Sequence, residues 1–252
     1  MTNKSWISML ALAVVSIATS GAQAVNFMQD DFSDGNYTSN PQWTIPNNRE
    51  YSSFEVQQDM GRDVLVRTDS KNDDGYLEIG AGTTLDRTAD KIIARAVVRF
   101  NGDDDSKFSL RLNDGAGGNE YRLQVNPDTE VGGGMPHWQI HKNSGGFSVI
   151  GNGTPGTPFV SDTDYHTIDF VLHSGGLIEG LFNGSQVVTA NDNDVTSFTT
   201  LQLVPRFSTG LPGGDHVFFD SVRLDTNAIP EPGTLALLGL GGAGLLRRRR
   251  TA

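Results

Sequence analysis

In the stretch His137-Trp138-Gln139-Ile140-His141, two imidazoles and an amide alternate with two large apolar side chains. Successive side chains of a β-strand point to opposite faces, so with Trp138 and Ile140 turned inward, His137, Gln139 and His141 share the exposed face. Arg111 and Arg122, with Arg95, can reach that face from neighbouring strands. Guanidinium, amide and imidazole groups on a pleated surface hydrogen-bond sugar hydroxyls or carboxylates. A polar face is also what any solvated sheet presents, so both readings stand at this point. The acidic groups form a second set: Asp30-Asp31, Asp73-Asp74, Asp103-Asp104-Asp105, Asp162 with Asp164, and Asp192 with Asp194. Calcium prefers about six to eight oxygen ligands, which paired carboxylates and loop carbonyls can supply. None of the clusters has EF-hand spacing, and most are expected to be solvated loop tips.

Other chemistries lack their residues. The five histidines, His137, His141, His166, His173 and His216, show no close zinc spacing. With no cysteine and no Gly-x-Ser-x-Gly elbow, thiol and serine-hydrolase readings lack support. Glu50, Glu55, Glu78, Glu120, Glu130 and Glu179 include no two at strand spacing, as a glycosidase pair on one strand would need. Over the whole chain of 252 residues, 19 Lys and Arg stand against 30 Asp and Glu, a net charge of −11. That balance argues against nucleic acid and anionic membrane surfaces as partners.

The elements that must position these groups are short. Phe108, Leu110 and Leu112 alternate with polar residues, as do Tyr121, Leu123 and Val125, and a polar glycine-rich segment between the two runs predicts a hairpin. Ile92, Ala94, Ala96, Val98 and Phe100 form another inward row, and Ile168, Phe170 and Leu172 a further one. Asn183-Gly184, between two apolar runs, suits a type I′ hairpin turn. More than about a dozen such runs without a helical period predict two stacked antiparallel sheets.

Asp30-Asp31-Phe32 with Trp43, the segment Asp164-Tyr165-His166-Thr167-Ile168-Asp169-Phe170 leading to Phe182-Asn183-Gly184, and the closing Val217-Phe218-Phe219-Asp220-Ser221-Val222 resemble the concanavalin A-like, laminin-G-like jelly roll. The resemblance implies an all-β jelly-roll sandwich whose concave face takes glycans. It also implies one structural calcium where the first and last strands meet, at Asp31 and Asp220. Gln139-Ile140-His141 is similar to the Gln-Ile-His motif of alginate-lyase-type jelly rolls, but the Tyr-x-Lys-x-Gly-x-Tyr-x-Gln partner motif is absent.

The two ends read as addresses. Lys4 precedes an apolar run over residues 6–18, and Ala22-Gln23-Ala24 supplies the small-x-small pattern that signal peptidase accepts, so cleavage is expected after Ala24. At the other end Pro230-Glu231-Pro232 is followed by an apolar stretch over residues 234–246 and then by Arg247, Arg248, Arg249 and Arg250. As a helix that stretch would be roughly 20 Å long, short of the ~30 Å hydrocarbon core. The arginines would hold the end on the cytoplasmic side of the inner membrane during a transient insertion. This order of parts resembles the PEP-CTERM sorting signal of exported Gram-negative proteins. The resemblance implies an exosortase-type membrane peptidase that recognises Pro230, Glu231 and Pro232 and delivers the protein to the cell surface or an exopolysaccharide matrix.

The expected organisation is a signal peptide over residues 1–24 with a helical core, a β-sandwich over 25–228, and a sorting segment over 229–252 with a short hydrophobic helix. Setting the two addresses aside leaves 14 basic against 29 acidic residues, a net charge of −15. Such a surface stays soluble and repels polyanions at long range. The expected function is a noncatalytic glycan-binding or matrix-associated protein of the biofilm surface. A polysaccharide-active enzyme on the same fold and a structural, adhesive surface protein are the alternatives.

Overall fold

In the computed structural model the alternating runs become fourteen β-strands, with no helix among the described residues. The structure describes residues 25–46, 52–69, 75–101, 107–115, 118–126, 137–153, 164–206 and 216–226. Ala22, Ala24, Pro230, Glu231, Pro232 and residues 247–250 lie outside these, as do both terminal segments expected to be helical and the aspartates at 73, 74, 103–105 and 162.

One sheet has eight strands: β1 (Val25–Asp30), β2 (Phe54–Asp59), β3 (Arg62–Arg67), β5 (Ile92–Asn101), β10 (His166–Leu172), β11 (Leu177–Phe182), β12 (Ser185–Asn191) and β14 (His216–Thr226). Their order is β12-β11-β10-β5-β14-β3-β2, and β1 pairs with the part of β14 beyond β3. The other sheet has six strands, β4 (Leu77–Asp86), β6 (Lys107–Asn113), β7 (Glu120–Val125), β8 (Trp138–Asn143), β9 (Phe147–Asn152) and β13 (Ser197–Arg206), in the order β4-β13-β6-β7-β8-β9. Every paired ladder is antiparallel. The all-β two-sheet sandwich expected from the alternation is therefore the fold observed.

Period-two patterning accounts for the core. Ile92, Ala94, Ala96, Val98 and Phe100 on β5, and Ile168, Phe170 and Leu172 on β10, face Phe108, Leu110 and Leu112 on β6 and Tyr121, Leu123 and Val125 on β7, all of them buried. Burial of this kind contributes about 1.5–3 kcal/mol for each large side chain, and with no cysteine in the chain no disulfide adds to it. The hairpin of β11 and β12 turns on Asn183 and Gly184, whose φ values of 49° and 79° are the two positive angles a type I′ turn requires.

Two polar clusters tie loops to this frame. Asp30 is buried at the end of β1, where its carboxylate accepts the Phe32 amide at 2.8 Å and the Trp43 indole N–H at 2.8 Å; burial raises its pKa. That contact gives the spacing of Asp30, Phe32 and Trp43 a physical purpose: it folds the 31–43 segment back over the sheet edge. Asp192 is not the solvated loop tip expected of it. It accepts the Tyr121 hydroxyl and, at 2.6 Å, the Lys142 ammonium. Burial first, and then the bond to Asp192, push the Tyr121 hydroxyl up to about 12. The cluster fastens the loop after β12 in one sheet to β7 and β8 in the other.

At the sandwich corner Gly151 of β9 lies against β12, and a Cβ there would stand 2.7 Å from the Thr189 carbonyl oxygen and 3.2 Å from the Ala190 Cβ. A backbone carbonyl cannot rotate aside as a side chain can. Gly151→Ala is therefore expected to lower unfolding stability by about 1–3 kcal/mol, seen as a lower urea midpoint at unchanged slope. An unchanged midpoint would show that β9 yields freely there.

Candidate functional site

Trp138 and Ile140 enter the core fully buried, which turns Gln139 and His141 to the outer face of the six-stranded sheet. The ladder decides what stands beside them, because residues directly opposite on antiparallel neighbours share a face. The pairings Glu78↔Gln202, Gln202↔Arg111, Arg111↔Arg122 and Arg122↔His141 draw one residue from each of β4, β13, β6, β7 and β8 into a single transverse row. At about 4.8 Å per strand the row spans roughly 19 Å. Thr200, Asn113 and Glu120 form the next row on one side, and Ser109, Gln124 and Gln139 the next on the other.

An outer sheet face is usually wet, yet Asn113, Glu120, Gln202, Arg111 (7% exposed) and His141 (5% exposed) are buried. Aromatic rings stand over the arginines: Tyr76 lies 5.7 Å from the Arg111 guanidinium, and Phe147 of the edge strand β9 lies 5.2 Å from that of Arg122. Between the Tyr76 end and the row is an open cleft of ≈ 260 Å³ lined by Tyr76, Glu78, Arg111, Asn113, Glu120, Thr200 and Gln202. Arg122 donates to Glu120 at 2.9 Å, Gln202 to Glu78 at 3.0 Å, and Gln139 to Asn152 at 3.1 Å. The floor is thus a set of charged and amide groups held in fixed orientations, with the Phe147 ring 58% exposed at one end.

His141 has an environment of its own. Its ring stacks on Phe147 with centroids 4.9 Å apart and planes at 27°, and both ring nitrogens are buried with no hydrogen-bond partner. Burial first, then the charges of Arg122 and Arg111, lower its pKa to about 4. At neutral pH the ring is an uncharged group that can donate one hydrogen bond and accept one.

Of the six residues expected to bind a ligand, Arg111, Arg122, Gln139 and His141 share this face, His137 lies at the end of the same β7–β8 ladder, and Arg95 lies elsewhere. Arg95 belongs to β5, which pairs with β10 and β14 in the eight-stranded sheet. It lies on the other layer of the sandwich, where its guanidinium grips Asp169 by two bonds of 2.6 and 3.0 Å. The inward row of β5 is buried as its alternation predicts, but alternation within a strand does not say which sheet the strand joins. His137 precedes β8 and closes the β7–β8 ladder, its Nδ1 lying 2.8 Å from the Asn126 carbonyl oxygen. Tyr76, Glu78, Asn113, Glu120, Gln202 and Phe147 complete the groove and went unnoticed in the sequence. Leu201-Gln202-Leu203 carried the alternation of a strand, but only the insertion of β13 between β4 and β6 brings Gln202 beside Arg111.

The pair expected to hold calcium fits that ion poorly. The Asp31 carboxylate accepts the Ser33 hydroxyl at 2.6 Å and the Ser33 amide at 3.1 Å, and these bonds lower its pKa. Asp220 sits where the β14–β5 register slips, and its carboxylate accepts the Arg62 guanidinium at 2.8 Å. Among the described residues no three metal-ligating side chains converge. A guanidinium already satisfies the carboxylate that calcium would need.

The sequence itself matches a known signal at one end. Residues 228–250 fit the family model of the PEP-CTERM protein-sorting motif. The chain ends in a PEP-CTERM motif. That motif marks an exported protein directed to the cell surface and processed by exosortase-type machinery. No curated protein matches the chain. Solved structures similar in fold include a Bacillus subtilis protein with a galectin-like fold, at 10% identity, covering 79% of this chain and 94% of its own, with a TM-score of 0.53. A Bacteroides ovatus mixed-linkage glucan GH16 protein aligns at 13% identity over 78% and 99% with a TM-score of 0.53. The Emp47p carbohydrate recognition domain aligns at 10% identity over 84% and 100%, also with a TM-score of 0.53. At these identities the likeness establishes the fold: the sorted domain is a galectin-like, concanavalin A-like jelly roll.

Two measurements test this description. Unfolded, His141 titrates near 6.5, and folded, near 4, so between those values the unfolded chain binds more protons and stability falls as pH falls. The loss attributable to this ring is expected to begin below about pH 6.5, to reach about 3 kcal/mol near pH 4, and to be absent from His141→Phe. Parallel curves for the two proteins would contradict it. Calcium, added or chelated, is expected to leave the thermal midpoint unchanged; a calcium-dependent rise abolished by Asp220→Asn would restore the metal site.

Proposed function

We propose that the domain is a noncatalytic glycan-binding module, exported through a transient inner-membrane stage, cut by signal peptidase and an exosortase-type peptidase, and retained in the extracellular polysaccharide at the cell surface. The observation that carries the reading is the transverse row from Glu78 to His141: fixed polar donors and acceptors, covered from bulk water and flanked by Tyr76 and Phe147. Sugars present hydroxyls at their edges and C–H bonds on their ring faces, and a groove with a polar floor and aromatic ends answers both. A carbohydrate recognition domain and a glucan-associated protein among the structural neighbours are compatible with this use of the fold.

The same face argues against an enzyme. Glu78 and Glu120, the glutamates of the row and its neighbour, both line the cleft but come from strands three steps apart. Each is engaged by a neighbour, Gln202 or Arg122. A glycosidase places two carboxyl groups about 5–9.5 Å apart across the scissile bond. For lyase chemistry, Gln139 and His141 do lie beside Arg122, but an imidazole with a pKa of about 4 is a weak base. Tyr76 lies over Arg111 on β6, two strands and about 10 Å from β8.

A glycan array probed with residues 25–229, which contain every described strand and the whole described core, is expected to retain oligosaccharides at millimolar affinity or better. Phe147→Ala, which removes an exposed side chain, should weaken that binding about tenfold or more while leaving the unfolding midpoint within a few degrees. No retained sugar would favour the adhesive, protein-binding alternative. New reducing ends or unsaturated uronates, released by the wild type and not by His141→Ala, would favour the enzyme.

A further inference from the structure

Resting on the groove reading above, we propose that the cleft at the Tyr76 end of the row takes an amino sugar, its ammonium group on Glu78 and its hydroxyls on Gln202, Asn113 and Glu120. The lining has polar atoms to spare. Gln202 and Asn113 are each 7% exposed and Glu120 is buried beside them, yet all three line the open cleft. One hydrogen bond fixes the orientation of each side chain and leaves a second polar atom unused. Gln202 donates its Nε2 to Glu78 at 3.0 Å, which leaves its Oε1 as an acceptor. Asn113 accepts the Gly115 amide on Oδ1 at 2.8 Å, which leaves its Nδ2 as a donor. Glu120 accepts Arg122 on Oε1 at 2.9 Å, which leaves its Oε2 as a second acceptor. Buried polar groups call for partners, and the hydroxyls of a sugar both donate and accept.

Charge selects among hydroxyl-bearing ligands. Of the charged groups lining the cleft, Glu120 is bridged to Arg122, and Arg111 lies beside the Tyr76 ring. Glu78 differs from both. Its carboxylate meets only the neutral Gln202 amide, on Oε2, and among the described residues no cation forms an ion pair with it. The register explains why: Gln202 stands between Glu78 and Arg111, so the nearest guanidinium of the row starts two strands away. An ammonium is a compact charge with three donors, and it can serve the open Oε1 of Glu78 without displacing the Gln202 bond. A neutral hydroxyl in its place leaves the charge unanswered. The chain as a whole acts in the same sense, because its net charge of −11 draws a cationic polymer from a distance as surely as it repels a polyanion. Tyr76, also in the lining, offers an aromatic ring to the C–H bonds of the sugar. The ligand class is therefore a polysaccharide with free amino groups.

Calorimetric titration of residues 25–229 at mildly acidic pH, where a sugar amine is protonated, can separate the possibilities. The probes are tetramers of glucosamine, N-acetylglucosamine and glucose in the same linkage, with tetralysine as a cation that is not a sugar. The glucosamine tetramer is expected to bind about tenfold or more tightly than the other two sugars, with a preference that shrinks at high salt. Glu78→Gln keeps the shape and removes the charge, and should cut that preference severalfold while leaving glucose binding within about twofold. Glu55→Gln removes the same charge from an exposed position on β2 of the other sheet and should leave the preference as it was. Equal affinity for the three sugars would overturn the ammonium assignment and leave the groove reading intact. An equal loss in both variants, or tetralysine binding as tightly as glucosamine, would replace it by general attraction of cations to an acidic chain. Failure of all three sugars, with folded protein by circular dichroism, would overturn both readings.

Discussion

Antiparallel register across β13, β6, β7 and β8 is the constraint on which the groove depends. Because side chains alternate with a period of two, a slip of one residue in any of these strands would send its polar member into the core and an apolar neighbour into the groove. The inner face prevents the slip: Leu203, Leu110, Leu123 and Ile140 also stand opposite one another, one residue along from the polar row, and all are fully buried. Core and site are thus two readings of one set of strand pairings. Where the register does shift, between Phe198 and Thr200 against β4 and between Ile140 and His141 against β9, the irregularities fall on outer strand pairs and leave the pairing among the four strands intact.

Charge organises the two outer faces differently. On the eight-stranded sheet Arg95 with Asp169, Arg99 with Asp59 and Arg62 with Asp220 form ion pairs, and Arg99 and Arg62 also lie over Tyr165. The exposed members of these pairs contribute little to stability, but as a group they neutralise one another. On the six-stranded sheet the two arginines are neighbours across a ladder, and Arg122 is bridged to Glu120 of its own strand. The ion pairs of one face thus join different strands, whereas the groove holds its arginines and glutamates side by side and largely covered, which sets it apart from an ordinary solvated sheet.

Alternation made most of the strands legible, because it reports burial directly: the inward rows of β5, β6, β7 and β10 and the Asn183-Gly184 turn all stand where the pattern puts them. The site was legible only within strands. Gln139 and His141 follow from Trp138 and Ile140 being apolar, and Arg111 and Arg122 from one hairpin. Arg95 could not be placed, since which sheet a strand joins is decided by long-range pairing that leaves no local trace. Phe147 was hidden for the opposite reason. A phenylalanine after two glycines reads as an ordinary apolar strand residue, and only its position on the edge strand leaves it exposed against His141.

The order of the strands also bears on delivery. β14 is the last of the described strands, yet it lies inside the eight-stranded sheet, paired along β5 on one edge and with β1 and β3 on the other. Loop closure must bring sequence-distant segments together before such a sheet rewards the chain with contacts, so the sandwich can close only after β14 is available. Thr226, the last residue of β14, pairs with Val25 at the start of β1, and the sorting motif begins at residue 228. The chain segment that completes the fold thus immediately precedes the segment that is recognised for sorting. Cutting at or beyond Pro230 removes none of the described strands, whereas a cut a few residues earlier would take away the pairing that holds the first strand to the last.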